Sequence, residues 1–368
     1  MKKLTSFPLF FFAAFIAQAQ TSLPSAGTEK DIPPAIHIRF DLDNARQTLS
    51  LLSRKAITAA ELDSWLSLPG TQALIRKVNA EPEAAKSALQ KAIAGQELTA
   101  AEQHFQYGFI RERLPEMTAW IDLLEAKRDS IIQHLQTKLT PYVRPGTAAS
   151  VTLYGLMGSY SGGFAFPADP SSFYLGLHFY PGDMPAIVET SEHELFHTLQ
   201  SRAYAYEPVM ERLRQVDTAY EAPYYLLRHL YLEGAAEYVA DAKEQATASP
   251  GLKKEKDHAA VNHYRHKAVF YLLEHLLLDA YRHPGEMDFG QLYSILFDWN
   301  WNNPAYYAGK MMMTALVEEK GRDYIRQSME QDALYFIKDY IGLSRTKAGL
   351  YQFSDAFEEM VNKMAARL

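Results

Sequence analysis

The stretch SEHELFHTLQ, Ser191 to Gln200, sets two histidines four residues apart with a glutamate directly after the first. At 3.6 residues per helical turn, His193 and His197 share one face a turn apart, where two imidazoles can close on a single ion. Glu194 then sits beside that ion without having to bind it, which leaves its carboxylate free to act as a base. The spacing therefore predicts a helix at this point. The competing reading is a surface helix carrying chance histidines, of which the chain has 12 to distribute.

Composition narrows what such an ion can be held by. The chain has no cysteine, which excludes disulfides, thiolate metal sites and a cysteine nucleophile and leaves His, Asp and Glu as donors. Without disulfides an exported chain must rely on its core, and 48% hydrophobic residues with 23 tyrosines can build a large one. The length allows two or three subdomains. Export is predicted by MKKLTSFPLFFFAAFIAQAQ, in which Lys2 and Lys3 precede an apolar run from Phe7 to Ala17 and the small-residue end Ala17-Gln18-Ala19. Residues 1–19 read as a signal peptide, with a mature start at Gln20 and a periplasmic or extracellular destination. No membrane span is expected elsewhere, since the apolar stretch VFYLLEHLLLDAY is broken by Glu274 and His275. The formal charge of −7 becomes −9 once Lys2 and Lys3 leave with the signal, so nucleic acid is not an expected partner.

Along the chain, residues 20–35 read as a linker, polar and holding Pro24, Pro33 and Pro34. Residues 36–140 read as a helical region. TAAE occurs at Thr58 to Glu61 and again at Thr99 to Glu102, each with the form of a capping box. The apolar spacing of Leu62, Trp65 and Leu66, then of Phe105, Phe109 and Ile110, continues the helical pattern to Leu139. Pro141 to Thr147 breaks it. SVTLYGL, GGFAF and FYLGLHFY follow, β-branched and aromatic and separated by Gly and Pro, and predict the one sheet of the chain. Gly162 and Gly163 imply close backbone approach, either by a ligand or by a neighbouring strand. Tyr180-Pro-Gly-Asp183 turns the chain into the helix of His193, with Asp183 as its N-cap. The rest reads as helix apart from ASPGLKKEKDH, Ala248 to His258, expected as an internal loop between a core at 145–247 and a C-terminal helical region at 256–368. The fold class is α+β, predominantly helical, with a small sheet packed on the His193 helix.

Two histidines leave a catalytic zinc incomplete, since three protein donors and one open position are the usual set. YLEGAAEYVAD, Tyr231 to Asp241, offers Glu233, Glu237 and Asp241 on one helical face. Here the sequence resembles the gluzincin metallopeptidases, whose second helix carries a zinc-binding glutamate in a Glu-Gly-x-Ala-like stretch. It is also similar to secreted zinc-dependent peptidases known mainly from sequence. The resemblance implies Zn2+ as cofactor, His193, His197 and Glu233 as ligands, Glu194 as general base and Glu237 as an outer partner that orients a histidine. It further implies a thermolysin- or aminopeptidase-like zincin core flanked by helical regions. The metzincin pattern is not met, because Gln200 and Ala203 stand where it would need other residues.

The stretch from His197 to Glu233 is longer than in well-known gluzincins, so AYAYEPVMERLRQVDTAYEAPYYLLRHL is expected as an insertion or an extra helix. His229, one turn before Glu233, is either a competing ligand or a hydrogen-bonded residue of a tyrosine-rich core. His263, His266 and His275 read as ordinary helix positions, one of which could touch substrate. PAYYAGKMMMTALVEEKG, Pro304 to Gly321, is similar to the Tyr-x-x-Gly helix of aminopeptidase-like gluzincins. That likeness places the Tyr306 hydroxyl toward the oxyanion and Gly309 a turn further on. The alternative is that Tyr306 or Tyr307 simply packs against Met311 and Met312.

Together these readings imply a secreted zinc-dependent metallopeptidase acting on a peptide or protein, with a glutamate base and an activated water. The chain has no Gly-Ala-Met-Glu-Asn-like segment of the kind that holds a free amino terminus, which favours an endopeptidase. FYLGLHFY is expected as an edge strand for an extended peptide. Two other classes stay open: a non-catalytic exported binding protein on a peptidase-like fold, and a metal-dependent hydrolase of a non-peptide substrate.

Overall fold

The computed structural model describes residues 35–166, 169–241, 249–286 and 288–368. The expected signal peptide, and the linker as far as Pro34, lie outside the described residues. Helices are predicted directly after the linker, but the chain first forms strand β1 (Ala35–Asp41). Ile36, Ile38 and Phe40 are buried while His37 and Arg39 face out, the period of two that only a strand satisfies. Six helices follow: α1 (Asp43–Leu52), α2 (Ala59–Leu66), α3 (Pro69–Lys77), α4 (Pro82–Ala94), α5 (Tyr107–Glu112) and the long α6 (Leu114–Leu139). The first TAAE caps α2 as predicted, with Glu61 N donating to Thr58 Oγ1 and Thr58 N to Glu61 Oε2. The second makes the same pair of bonds but opens only a short 3-10 turn, Glu102–Phe105.

Strands β2 (Ala148–Leu156), β3 (Gly163–Phe166) and β4 (Asp169–Gly176) complete one mixed sheet in the order β1-β2-β4-β3. β1 and β4 run parallel to β2, with Ile38 opposite Val151 and Tyr154 opposite Tyr174, and β3 folds back antiparallel on β4. This corrects the expected edge strand. FYLGLHFY leaves the sheet after Gly176, and its strand portion is paired on both sides, so it offers no free edge to a peptide. The sheet's edges belong to β1 and β3, and β3 is the one beside β4. Gly163 is explained by the neighbouring strand, since a Cβ there would stand 2.7 Å from the Phe173 ring. At Gly162 it would collide with the Tyr180 hydroxyl.

The remaining helices are α7 (Met184–Ala203), α8 (Glu207–Val216), α9 (Glu221–Val239), α10 (Pro250–Tyr264), α11 (His266–Arg282), α12 (Phe289–Phe297), α13 (Pro304–Lys320), α14 (Asp323–Met329), α15 (Ala333–Ser344) and α16 (Asp355–Ala365). α8 is the extra helix expected before Glu233. Asp183 caps α7 by accepting from Ala186 N, and its other oxygen accepts from Ser249 Oγ at 2.8 Å and Gly251 N at 3.0 Å. One carboxylate therefore anchors the starts of α7 and α10. The loop expected at Ala248 to His258 is thus helical from Pro250 onward. Ser-Pro-Gly reads as a turn, yet Ser249 accepts from Leu252 N as an N-cap and Pro250 takes the first helical position, where its missing N–H costs nothing.

α6 lies along both β1 and α7, tied by Gln136 Nε2 donating to Ile36 O at 3.0 Å and by His134 against Glu192 at 2.5 Å. A single buried apolar cluster runs from Ile36 in β1 to Met364 in α16, so the flanking helices share their core with the sheet. Among the described residues no helix is long and apolar enough to cross a membrane.

Candidate metal centre

α7 packs between the sheet and α9, and α9 crosses α13 at two glycines. A Cβ on Gly234 would collide with the backbone of Gly309, and one on Gly309 with Leu230 O. This close crossing brings Glu233, next to Gly234, over the His193 face of α7, and presents Tyr306, one turn before Gly309, to the same space.

His193 Nε2, His197 Nε2 and Glu233 Oε2 form a near-equilateral triangle with sides of 3.1, 3.1 and 3.2 Å. A tetrahedral zinc with bonds of ~2.0–2.1 Å sets its donor atoms roughly 3.3 Å apart, so the triangle matches one face of that tetrahedron. Among the described residues no other group of His, Asp or Glu converges in this way. The His193, His197 and Glu233 side chains are 13%, 24% and 14% exposed, so the triangle is not sealed from solvent.

Each imidazole is oriented from behind. His197 Nδ1 donates to Gln200 Oε1 at 2.7 Å, while Gln200 Nε2 donates to Leu232 O on α9. His193 Nδ1 faces Glu237 Oε1 at 3.5 Å. With Nδ1 engaged, Nε2 is the nitrogen left for the ion, as metal-bound histidines require.

The surrounding charge favours a cation. Burial would lower the His193 pKa, but Glu233, Glu237 and Glu194 outweigh it and raise the pKa to about 10. Burial likewise pushes Glu233 up, and His197 and His193 overcome it to hold the carboxyl well below its usual range. Burial raises Glu194, against the pull of His193 and His197. Glu194 makes no hydrogen bond among the described residues, so its carboxylate is spent on nothing else.

The other residues singled out in the sequence separate cleanly. Tyr306 stacks on His193 with ring centroids 6.2 Å apart, and its hydroxyl has no hydrogen-bond partner among the described residues. Burial and the nearby Glu233 raise its pKa well above the ordinary phenol value. Tyr307 turns the opposite way, its hydroxyl 3.0 Å from His266 Nδ1 and 3.3 Å from His263 Nδ1. His229 bonds the Tyr225 carbonyl at 3.0 Å and packs among Tyr225, Tyr293 and Phe297. Burial drops its pKa to about 4, and it stays out of the donor group. His275 stacks on Tyr271. Asp241 lies 3.4 Å from Lys310.

Three residues near the triangle escaped the sequence reading. Gln200 carried a local signal, three residues beyond His197 on the same helix. Tyr293 on α12 reaches the field of Glu233 and Tyr306. Lys77, at the end of α3, interacts electrostatically with Glu194. Only tertiary packing brings these last two in.

Donor set and scaffold together define a zinc protein: a His-His-Glu site on a predominantly helical α+β fold, with zinc as its cofactor. Residues 62–348, well over half of the chain, match the family described as "Putative zinc dependent peptidase (DUF5700)", and the chain belongs to that family. No curated protein and no solved structure matches it.

Proposed function

We propose that this chain is an exported zinc metallopeptidase of gluzincin type that hydrolyses internal peptide bonds of an extended substrate. The observation that carries the reading is Glu194: a carboxylate at the rim of a His-His-Glu triangle, outside the donor set, unbonded and raised by burial. A purely structural metal site has no use for such a group and closes its fourth position with a ligand.

His193, His197 and Glu233 would hold the zinc, with Gln200 and Glu237 fixing the two rings. When bound, zinc supplies Lewis acidity, which makes water a better nucleophile and a carbonyl carbon a better target. Glu194 accepts the proton of the attacking water as the C–O bond forms, and delivers it to the departing amine as the C–N bond breaks. The Tyr306 hydroxyl donates to the oxygen that gains charge as the carbonyl carbon becomes tetrahedral. β3, against α7 and with its outer edge unpaired within the sheet, can pair an extended peptide through backbone hydrogen bonds. Export rests on the pattern of residues 1–19.

Glu194→Gln preserves size and removes the base, so purified protein should retain about one zinc per chain while peptide hydrolysis falls about 100-fold or more. Elemental analysis and a peptide-library digest, with and without chelator, check both halves. Full turnover in the variant would sink the assignment of the base.

A further inference from the structure

Two lysines interact with the carboxylates around the triangle, Lys310 and Lys77. Lys310 is taken up by Asp241 at 3.4 Å and Glu237 at 4.0 Å. Lys77 is different. Its ammonium lies 5.2 Å from the Phe164 ring centroid and 5.9 Å from that of Tyr160, and it has no hydrogen bond or ion pair among the described residues. Phe164 belongs to β3, the strand whose outer edge is free. Of the cleft carboxylates, only Glu194 acts on Lys77, and the two are not hydrogen-bonded. A half-buried ammonium held by ring faces alone is poorly solvated, and an anion supplied from outside would satisfy it.

We propose that Lys77 is a specificity-determining residue that binds a carboxylate of the peptide substrate alongside β3. The proposal rests on the peptidase reading above. The ammonium lies against Phe164 of β3, the strand proposed to pair the peptide and packed on α7, which carries Glu194; an extended chain advances ~3.3 Å per residue, so substrate residues paired along that strand pass within its reach. That carboxylate is an Asp or Glu side chain of a substrate cut internally, or the α-carboxylate of a substrate cut close to its C-terminus, in which case the bond cut is not an internal one. The partial burial that leaves Lys77 short of solvent also lowers its pKa, which agrees with a cation awaiting a partner. Lys310, already paired, cannot play this part.

The test compares peptides in matched pairs, free acid against amide at the C-terminus and Asp against Asn near the cut, on zinc-loaded full-length protein. In the Glu194→Gln background, calorimetry reads binding without turnover. One of the two carboxylate-bearing peptides should bind about 10-fold more tightly than its neutral partner, a difference of ~1.4 kcal/mol. Lys77→Met keeps the stem packed on the rings and should bring that ratio near one, while Lys77→Arg should keep most of it. In active protein the same preference should appear in KM more than in kcat. A free-acid preference lost in Lys77→Met identifies an exopeptidase-like subsite and replaces the internal-bond part of the peptidase reading, whereas an Asp preference lost in that variant identifies an acidic side-chain pocket and agrees with it. Equal binding of both members of both pairs, or a preference that survives Lys77→Met, overturns the proposal with the peptidase reading intact. Failure of any peptide to bind zinc-loaded protein overturns both.

Discussion

Glu233 and Glu237 stand one helical turn apart and both face His193, yet their geometry separates their roles. Glu233 touches both imidazole Nε2 atoms, whereas Glu237 meets only the far nitrogen of His193. Glu233→Ala should therefore abolish stable zinc binding, while Glu237→Ala and Gln200→Ala should each weaken it about 10- to 100-fold. Zinc titration of the three variants separates these outcomes, and a stronger effect from Glu237 would reassign the third donor. A parallel comparison concerns the tyrosines. Tyr306→Phe removes a hydroxyl that bonds nothing in the described protein, so stability should hold while kcat falls roughly 10-fold or more. Tyr307→Phe removes a hydroxyl lying against His263 and His266 and should leave kcat nearly unchanged; the reverse order would show that the oxyanion lies elsewhere. The convergence of the His-His-Glu triangle was legible in the sequence because helical periodicity sets His193 and His197 on one face with Glu194 beside them, and the gluzincin resemblance, through the Glu-Gly pair, points to Glu233. Lys77 was not. It lies 116 positions before His193, and nothing near it in the chain reports which cleft it enters.

At the scale of elements, the site depends on how closely α9 and α13 approach. Both glycines at the crossing are helical, where alanine would ordinarily be favoured by ~1 kcal/mol. Here the added methyl would meet backbone rather than a side chain that could swing aside. Gly309→Ala should therefore cost about 1–3 kcal/mol, the usual range for overpacking, and by pushing α13 outward should also lower kcat through Tyr306. Gly342, in α15 with open space where a Cβ would go, is the control. Gly342→Ala should stabilise by about 0.5–1 kcal/mol, as measured by denaturant unfolding. Equal stabilisation at both positions would mean that α9 and α13 have room at their crossing for the added methyl. The same scale shows where sequence reasoning stopped. Period-two burial in AIHIRFD was present to be seen, but a strand standing before six helices has no partner until β2 arrives more than 100 residues later. The edge of the sheet was likewise invisible locally, because β4 becomes internal only when β3 folds back outside it.

Across the whole molecule, the His-His-Glu triangle joins two sets of packed elements. His193 and His197 belong to α7, which packs on the sheet and α6, while Glu233 belongs to α9, which packs on α11, α13 and α15. An ion that binds only the folded arrangement stabilises it by mass action, about 2.7 kcal/mol when free zinc is 100 times its dissociation constant. Since the apolar core continues from β1 to α16, that stabilisation should be felt by the N-terminal helices as well as by the site. Chelation should thus lower the unfolding midpoint by about 3–5 °C for a chain of this size, within one cooperative transition. Calorimetric scans of zinc-loaded and chelated protein test this directly. Two transitions, of which only one moved on chelation, would mean that residues 36–140 unfold as a separate unit, and that Lys77 reaches the cleft from a domain able to come away from it.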